Sequence, residues 1–325
     1  MTVVLRKRAS SMPDVKALLH LGRVPNVFTA VSNVTAAYLL THADLFDVAA
    51  VSLLIAATVC LYTAGMVLND VFDAEVDARE RPARPIPSGR VSLGAAKKIG
   101  WTLLGGGLAA TFVLAGLRLT PTPAIVGTAL AACIVAYDAF LKHTPLGPLA
   151  MGLCRTLNVL LGLSFAAVGP FAWHPLHACV AAGIGAYVVG LTIFARNEAE
   201  AENRRGPLLL GMLVMLGGAA LLAYFPRLTD GRLPFEAQPL RSITSGPLWL
   251  LLWGVFGFFI VRRCLPAVVS GSPDLVKFAV KQSIFALVIF DAAVCTAVRG
   301  PVPYALLIVA LLVPMQLLGR TVYST

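Results

Sequence analysis

Charge is scarce in this chain. Asp, Glu, Lys and Arg make up 13% of 325 residues, about half the share of a soluble domain. Acid is scarcer than base, with 16 Asp and Glu against 26 Lys and Arg. Paired cysteine is missing: Cys60, Cys133, Cys154, Cys179, Cys264 and Cys295 sit singly in apolar runs, with no CxxC. That excludes a thiolate zinc knuckle and a CxxC redox motif, and leaves small buried hydrophobes. His174 and His177 form an HxxH, but no carboxylate or third ligand accompanies them, so a metal is not expected there. Residues 1–24 carry Arg6, Lys7, Arg8, Lys16 and Arg23 without an apolar core, which is not the pattern of a signal peptide.

What is abundant is apolar surface, at 58% of residues. A bilayer-spanning helix needs about 20 mostly apolar residues. Ten segments qualify, at roughly 25–41, 47–69, 94–116, 122–141, 147–169, 175–195, 206–225, 246–262, 276–298 and 302–320. The chain therefore reads as all-α, a polytopic membrane bundle. With the N-terminus inside, twenty Lys and Arg fall in inner segments and five in outer ones, the bias expected of cytoplasmic loops. The expectation is an integral protein of the inner-membrane type, with its N-terminus cytoplasmic. Orientation accounts for the net charge of +10 without nucleic acid as a partner.

Nine of the sixteen acids gather at the inner ends of three spans. The first group is Asn69-Asp70-Val71-Phe72-Asp73-Ala74-Glu75-Val76-Asp77, followed by Glu80. A helix continuing through it places Asp70, Asp73 and Asp77 at i, i+3 and i+7, on one face with Asn69 beside them. Stacked carboxylates near a low-dielectric boundary repel unless a cation lies among them. Oxygen-only ligands favour Mg²⁺ or Ca²⁺, and Mg²⁺ leaves positions for substrate phosphates. The bland alternative is a solvated acidic loop paired with Arg79, Arg81 and Arg84. A second group, Glu198, Glu200 and Glu202, follows Arg196-Asn197, and Glu198 and Glu202 share a face at i, i+4. Between the two groups lies Tyr137-Asp138-Ala139-Phe140-Leu141-Lys142. There Lys142 is either an ion-pair partner of Asp138 or a phosphate contact.

Polar residues also occur inside spans. Arg155 and Asn158 stand in the fifth, where an arginine is costly and marks an interior polar site. Asn26, Thr29 and Asn33 follow Arg23 in the first span at i, i+3 and i+7, aimed at the bundle interior. Their alternative role is helix packing by hydrogen bonds. Asp291 in the ninth span has no evident partner.

These segments resemble the UbiA superfamily of intramembrane prenyltransferases. Asn69-Asp70-x-x-Asp73-x-x-x-Asp77 is similar to that family's first aspartate-rich motif. Arg81-Pro82-Ala83-Arg84-Pro85-Ile86-Pro87-Ser88-Gly89-Arg90 resembles the segment after it. Arg23-Val24-Pro25-Asn26-Val27-Phe28-Thr29-Ala30 resembles the first-helix signature, and Tyr137-Asp138 through Lys142 the inner loop after the fourth helix. Met151-Gly152-Leu153-Cys154-Arg155-Thr156-Leu157-Asn158 with Phe194-Ala195-Arg196-Asn197-Glu198 resembles the EboC-like branch.

The resemblance implies one transmembrane domain over 25–325 after a cytoplasmic segment at 1–24. Nine or ten helices would surround a central cavity opening to lipid. It further implies Mg²⁺ and a prenyl diphosphate donor at the cytoplasmic end, and transfer of the isoprenyl group to an aromatic or other small acceptor of unknown identity. Asp70, Asp73, Asp77, Glu198 and Glu202 would be metal ligands. Asn26, Asn69, Arg84, Arg155, Asn158 and Arg196 would bind substrate. Lys142 would neutralise the leaving group, and Asp138 or Tyr137 would position or deprotonate the acceptor. Two departures stand out: the second motif is all glutamate where the family usually has aspartates, and ten spans are counted where nine are usual. The alternatives are a UbiA-like protein that binds prenyl diphosphate or lipid without turnover, and a membrane transporter. A phosphotransferase of the CDP-alcohol type lacks support, because its Asp-Gly and Ala-Arg elements are missing.

Overall fold

The computed structural model describes residues 15–42, 44–165, 173–196, 205–228, 246–299 and 303–322. Within them every regular element is helical. Helices α1 (Val15–Leu21), α2 (Val24–Thr41), α3 (Val48–Phe72) and α4 (Ala74–Glu80) lead to α5 (Leu93–Arg118), α6 (Thr122–Ala139) and α7 (Gly147–Gly162). Then come α8 (Pro175–Ala195), α9 (Arg205–Tyr224), α10 (Pro247–Ser270), α11 (Pro273–Arg299), α12 (Pro303–Ala310) and α13 (Leu312–Thr321).

Local chemistry sets the ends. Asp47 and Ser92 cap α3 and α5 by accepting from the backbone N–H of Ala50 and Ala95 at 3.2 Å each, which satisfies donors with no partner inside the helix. Gly271 ends α10 in the left-handed region at φ 68°, where a side chain would be strained.

Each of the ten expected spans corresponds to a helix or, at the C-terminal end, to the α12–α13 pair. Among the described residues, eight helical stretches are long and apolar enough to cross a bilayer; α2 and α7 are not among them. The reason for α2 is polarity: it carries Asn26, Thr29, Ser32 and Asn33, yet 15 of its 18 residues are buried. Protein, not lipid, surrounds it, and a helix in that position can bear polar groups that its neighbours satisfy. The lipid-facing helices show the reverse. Trp101, Phe112 and Leu117 on α5, and Leu250, Leu251 and Phe258 on α10, project outward. An apolar belt of that extent is an interaction surface, here for acyl chains. The chain is an integral membrane protein.

The helices close into a ring. Successive neighbours are α2–α3, α3–α5, α5–α6, α6–α7, α7–α8, α8–α9, α9–α10 and α10–α11, and α11 returns to α2. Helices α8 and α9 meet backbone to backbone: a Cβ added at Gly190 would lie 2.5 Å from Met215 N, and one at Gly218 equally close to Tyr187 N. Small residues permit such approaches where no hydrophobic effect drives helices together. Residues 15–21 belong to the bundle, since Ala17 and Leu21 pack against Val67, Val71, Val91 and Ala96.

Candidate active site

A cavity of about 1090 Å³ lies inside the ring, lined by α2, α3, α6, α7, α8 and α11. Its walls are apolar at Leu61, Met66, Leu130, Ile134, Val188, Leu191, Ile284 and Leu287. Its mouth is crowded with charge from Arg23, Asp70, Asp73, Arg81, Arg84, Arg90, Lys142 and Lys277.

The acidic motif builds one side of the mouth. Helix α3 stops at Asp73, whose φ of −89° and ψ of 3° break the helix before α4 begins at Ala74. The i→i−4 bonds nevertheless run on, from Asp73 N to Asn69 O at 3.0 Å and from Asp77 N to Asp73 O at 2.8 Å. Asp70 and Asp77 therefore remain neighbours, and both are buried, at 4% and 3% exposure. Arg84 bridges them, with Nη1 2.5 Å from Asp77 Oδ2 and 3.3 Å from Asp70 Oδ1. Arg23 adds a second cation at 3.3 Å from Asp70 Oδ1. Arg23 itself holds φ 43°, an uncommon conformation for a side-chain-bearing residue that the surroundings must enforce.

The proline-rich segment after α4 carries Arg84 inward. Pro82, Pro85 and Pro87 prevent a helix, and Gly89 takes φ 76°. The loop is tied back on itself by Arg90 Nη2 donating to Ala83 O at 2.7 Å and by Val91 N donating to Pro85 O at 3.0 Å.

The loop after α6 builds the other side. Lys142 pairs with Asp73, Nζ to Oδ1 at 2.7 Å, so of its two expected roles the ion pair forms with Asp73 and not Asp138. His143 Nε2 lies 3.7 Å from the same oxygen. Asp138 instead accepts from Asn69 Nδ2 at 3.0 Å through Oδ1, while its Oδ2 is buried without a hydrogen-bond partner. Arg196 steadies the loop by donating to Lys142 O at 2.5 Å.

Of the residues singled out from the sequence, Asn26, Asn69, Asp70, Asp73, Arg84, Tyr137, Asp138, Lys142, Arg155 and Asn158 all line this one cavity. Asp77 lies behind it under Arg84, and Arg196 contacts its rim through the Lys142 carbonyl. Glu198, Glu200 and Glu202 lie outside the described residues. Asn158 is held by Thr58, which donates to its Oδ1 at 3.1 Å, and itself donates to Ala30 O at 3.0 Å. Sequence reasoning underrated Arg23 as a partner of Asp70, and it passed over Lys277, whose signal was only its place near the start of α11. It also found no partner for Asp291, which accepts from Ser32 and Asn33.

The donor set suits a hard cation, since every acidic group at the mouth offers oxygen alone. Among the described residues no three His, Cys, Asp or Glu side chains converge closely enough to enclose a metal by themselves. Mg²⁺ is usually held by one or two carboxylates and completed by phosphate oxygens. Asp70 and Asp73, both lining the mouth, are the carboxylates that would hold it.

A helical ring in the membrane, with an acid-and-base mouth over an apolar cavity, defines a membrane-embedded enzyme that handles a polar head on an apolar tail. Residues 30–225 match the profile of the UbiA prenyltransferase family, and the chain belongs to that family. It is 32% identical over 219 residues to the digeranylgeranylglyceryl phosphate synthase of Methanoregula boonei, covering 65% of this chain and 72% of that protein. The same enzyme of Methanothermobacter thermautotrophicus is 30% identical over 222 residues, covering 65% and 69%. Among solved structures, one of a digeranylgeranylglyceryl phosphate synthase covers 89% of this chain and all of its own, with a TM-score of 0.60 at 20% identity. A UbiA homologue from Archaeoglobus fulgidus bound to DMAPP and Mg²⁺ covers 90% of this chain and 99% of its own, with a TM-score of 0.59 at 16% identity. The chain is a prenyltransferase.

Proposed function

We propose that the protein transfers an isoprenyl group from a prenyl diphosphate to an acceptor inside the cavity, at the cytoplasmic face of the membrane and with Mg²⁺. The observation that carries this is the joining of one charged mouth to one apolar cavity. A diphosphate needs the first and a prenyl tail needs the second.

The chemistry breaks the bond between C1 of the donor and its bridging oxygen. The diphosphate leaves with the electron pair, C1 bonds to the acceptor nucleophile, and the acceptor gives up a proton. Asp73, Asp70 and the second acidic group, Glu198 and Glu202, would hold Mg²⁺, which would supply positive charge for the leaving diphosphate. Lys142, Arg23 and Arg84 place further positive charge where negative charge develops. Arg84 also keeps Asp70 and Asp77 together at the mouth. Asn69 orients Asp138, and the free Asp138 Oδ2 or the Tyr137 hydroxyl stands ready to take the acceptor proton. The apolar walls keep water from an allylic cation. Asn26, Arg155 and Asn158 supply polar contacts deeper in, and Arg196 holds the Lys142 loop. Apart from Arg23, which precedes it, all act within one domain, residues 25–325.

The name shared by the relatives makes a prenylated glyceryl phosphate the first acceptor to try, ahead of aromatic acids. Membranes containing the protein, given labelled geranylgeranyl diphosphate and Mg²⁺, should yield a prenylated lipid by mass spectrometry. Its absence with every acceptor class would overturn the proposal, and flux of a solute without prenyl transfer would favour a transporter instead.

A further inference from the structure

A line of polar side chains runs from the cavity wall into the packed interior between α2, α7 and α11. Arg155 faces the cavity. Its Nη1 donates to Asn33 Oδ1 at 3.2 Å and its Nη2 to Thr29 Oγ1 at 2.7 Å. Asn33 in turn donates through Nδ2 to both oxygens of Asp291, at 2.8 and 2.7 Å. Ser32 Oγ donates to Asp291 Oδ2 at 2.5 Å. Asp291 is 3% exposed and lies behind the wall.

A carboxylate only accepts hydrogen bonds, whereas a primary amide has one donating end and one accepting end. Asp291 therefore dictates the orientation of the Asn33 amide. The NH₂ must turn to Asp291, and the oxygen is left for Arg155. Without the carboxylate the amide is free to flip, and an N–H would then confront the guanidinium.

Arg155 spends two of its five donors on Asn33 and Thr29, and none on a carboxylate among the described residues. Its Cζ lies 5.2 Å from the centroid of the Tyr62 ring. Tyr62 precedes Asp70 by eight residues on α3, about 12 Å along the axis at 1.5 Å per residue. The guanidinium is thus a separate cationic point, well below the mouth. A cation at that depth is expensive, and a fixed guanidinium with unused N–H groups suits a carboxylate or phosphate oxygen.

We propose that Asp291 is a positioning residue which, through Asn33, holds Arg155 toward the cavity as the anchor for an anionic group on the acceptor. This rests on the prenyl-transfer reading and adds to it the charge of the acceptor. The donor diphosphate occupies the mouth, and the acceptor's carboxylate or phosphate sits below it on Arg155.

The test is a steady-state comparison of the full chain with Asp291→Asn, Asp291→Glu and Arg155→Lys. Labelled geranylgeranyl diphosphate is the donor. The acceptors are geranylgeranylglyceryl phosphate, 4-hydroxybenzoate and the neutral geranylgeranylglycerol. Asp291→Asn and Arg155→Lys should each raise the KM of the anionic acceptor about tenfold and leave the donor KM within about twofold. Asp291→Glu should recover most of the loss, and the neutral acceptor should be indifferent. Whichever anionic acceptor shows the effect identifies phosphate or carboxylate as the group held. An unchanged acceptor KM overturns the proposal, as does a parallel rise in donor and acceptor KM, which is the mark of packing alone. If Asp291→Asn does not fold, an unchanged acceptor KM in Arg155→Lys still overturns it. Failure of the wild-type chain to transfer to any acceptor overturns the prenyl-transfer reading, and this proposal with it.

Discussion

Lys142 Nζ sits 2.7 Å from Asp73 Oδ1, joining the loop after α6 to the point where α3 breaks. The pair couples the two walls of the mouth through the carboxylate least engaged by guanidinium groups. Asp73→Asn keeps the shape and removes the charge. Prenyl transfer should fall by about 100-fold or more, the scale on which electrostatic groups act at developing charge. Thermal stability should drop as well, because Lys142, 8% exposed, loses its charged partner. A labelled-donor assay beside a melting curve checks both; unaltered turnover would remove Asp73 from the site.

Arg84 neutralises two carboxylates at once. Arg84→Met strands Asp77 and leaves Asp70 with Arg23 alone, both carboxylates being nearly buried, and the loss of one partner from a buried ion pair costs about 3 kcal/mol or more. The melting temperature should drop visibly. Adding Asp77→Asn to Arg84→Met should restore part of it, since one stranded charge is then gone. A double mutant no more stable than the single would show that Arg84 acts by packing.

Glu198 and Glu202 are proposed as the second set of Mg²⁺ ligands. Replacing both by Gln should raise the Mg²⁺ concentration for half-maximal transfer about tenfold, in the range for weakened metal ligation. Chelation of Mg²⁺ should abolish transfer in the wild type without unfolding it. A Mg²⁺ titration that does not move in the double variant would assign the metal to the first motif alone.

The α8–α9 seam should be intolerant of a single methyl group. Gly190→Ala puts a Cβ 2.5 Å from Met215 N and 2.6 Å from Gly211 O. These are backbone atoms that cannot rotate away, so about 1–3 kcal/mol is expected. Gly217→Ala on the same α9 meets nothing within 4 Å and should be silent. Detergent-solubilised melting of the two variants is the comparison, and equal melting points would refute the close seam.

Much of this architecture is legible in the residue order because the bilayer imposes a strong one-dimensional rule. Apolar runs of fixed length become spans, and basic residues between them report sides. The aspartate motif is equally local, as Asp70, Asp73 and Asp77 lie within two helical turns. Helix breaking at Asp73 was not foreseen, yet it leaves Asp70 and Asp77 adjacent. The partners were much harder to read. The i, i+4 spacing of Asp138 and Lys142 pointed to a local pair, but α6 ends at Ala139 and the following turn carries Lys142 across to Asp73. Asp291 offered no local clue, because Ser32 and Asn33 lie more than 250 positions away.

The sequence by itself determined that this is a membrane bundle, and that its few acids collect at the helix ends read as inner. Hydrophobic run length and charge placement act along the chain and need no tertiary contact. Only the tertiary structure decided which cation meets which carboxylate, that the polar helix α2 is enclosed by protein, and that Arg155 faces the cavity with Asp291 behind it. Those outcomes depend on α2 packing against both α7 and α11. In a low-dielectric interior every buried charge must then find its partner among whatever helices arrive beside it.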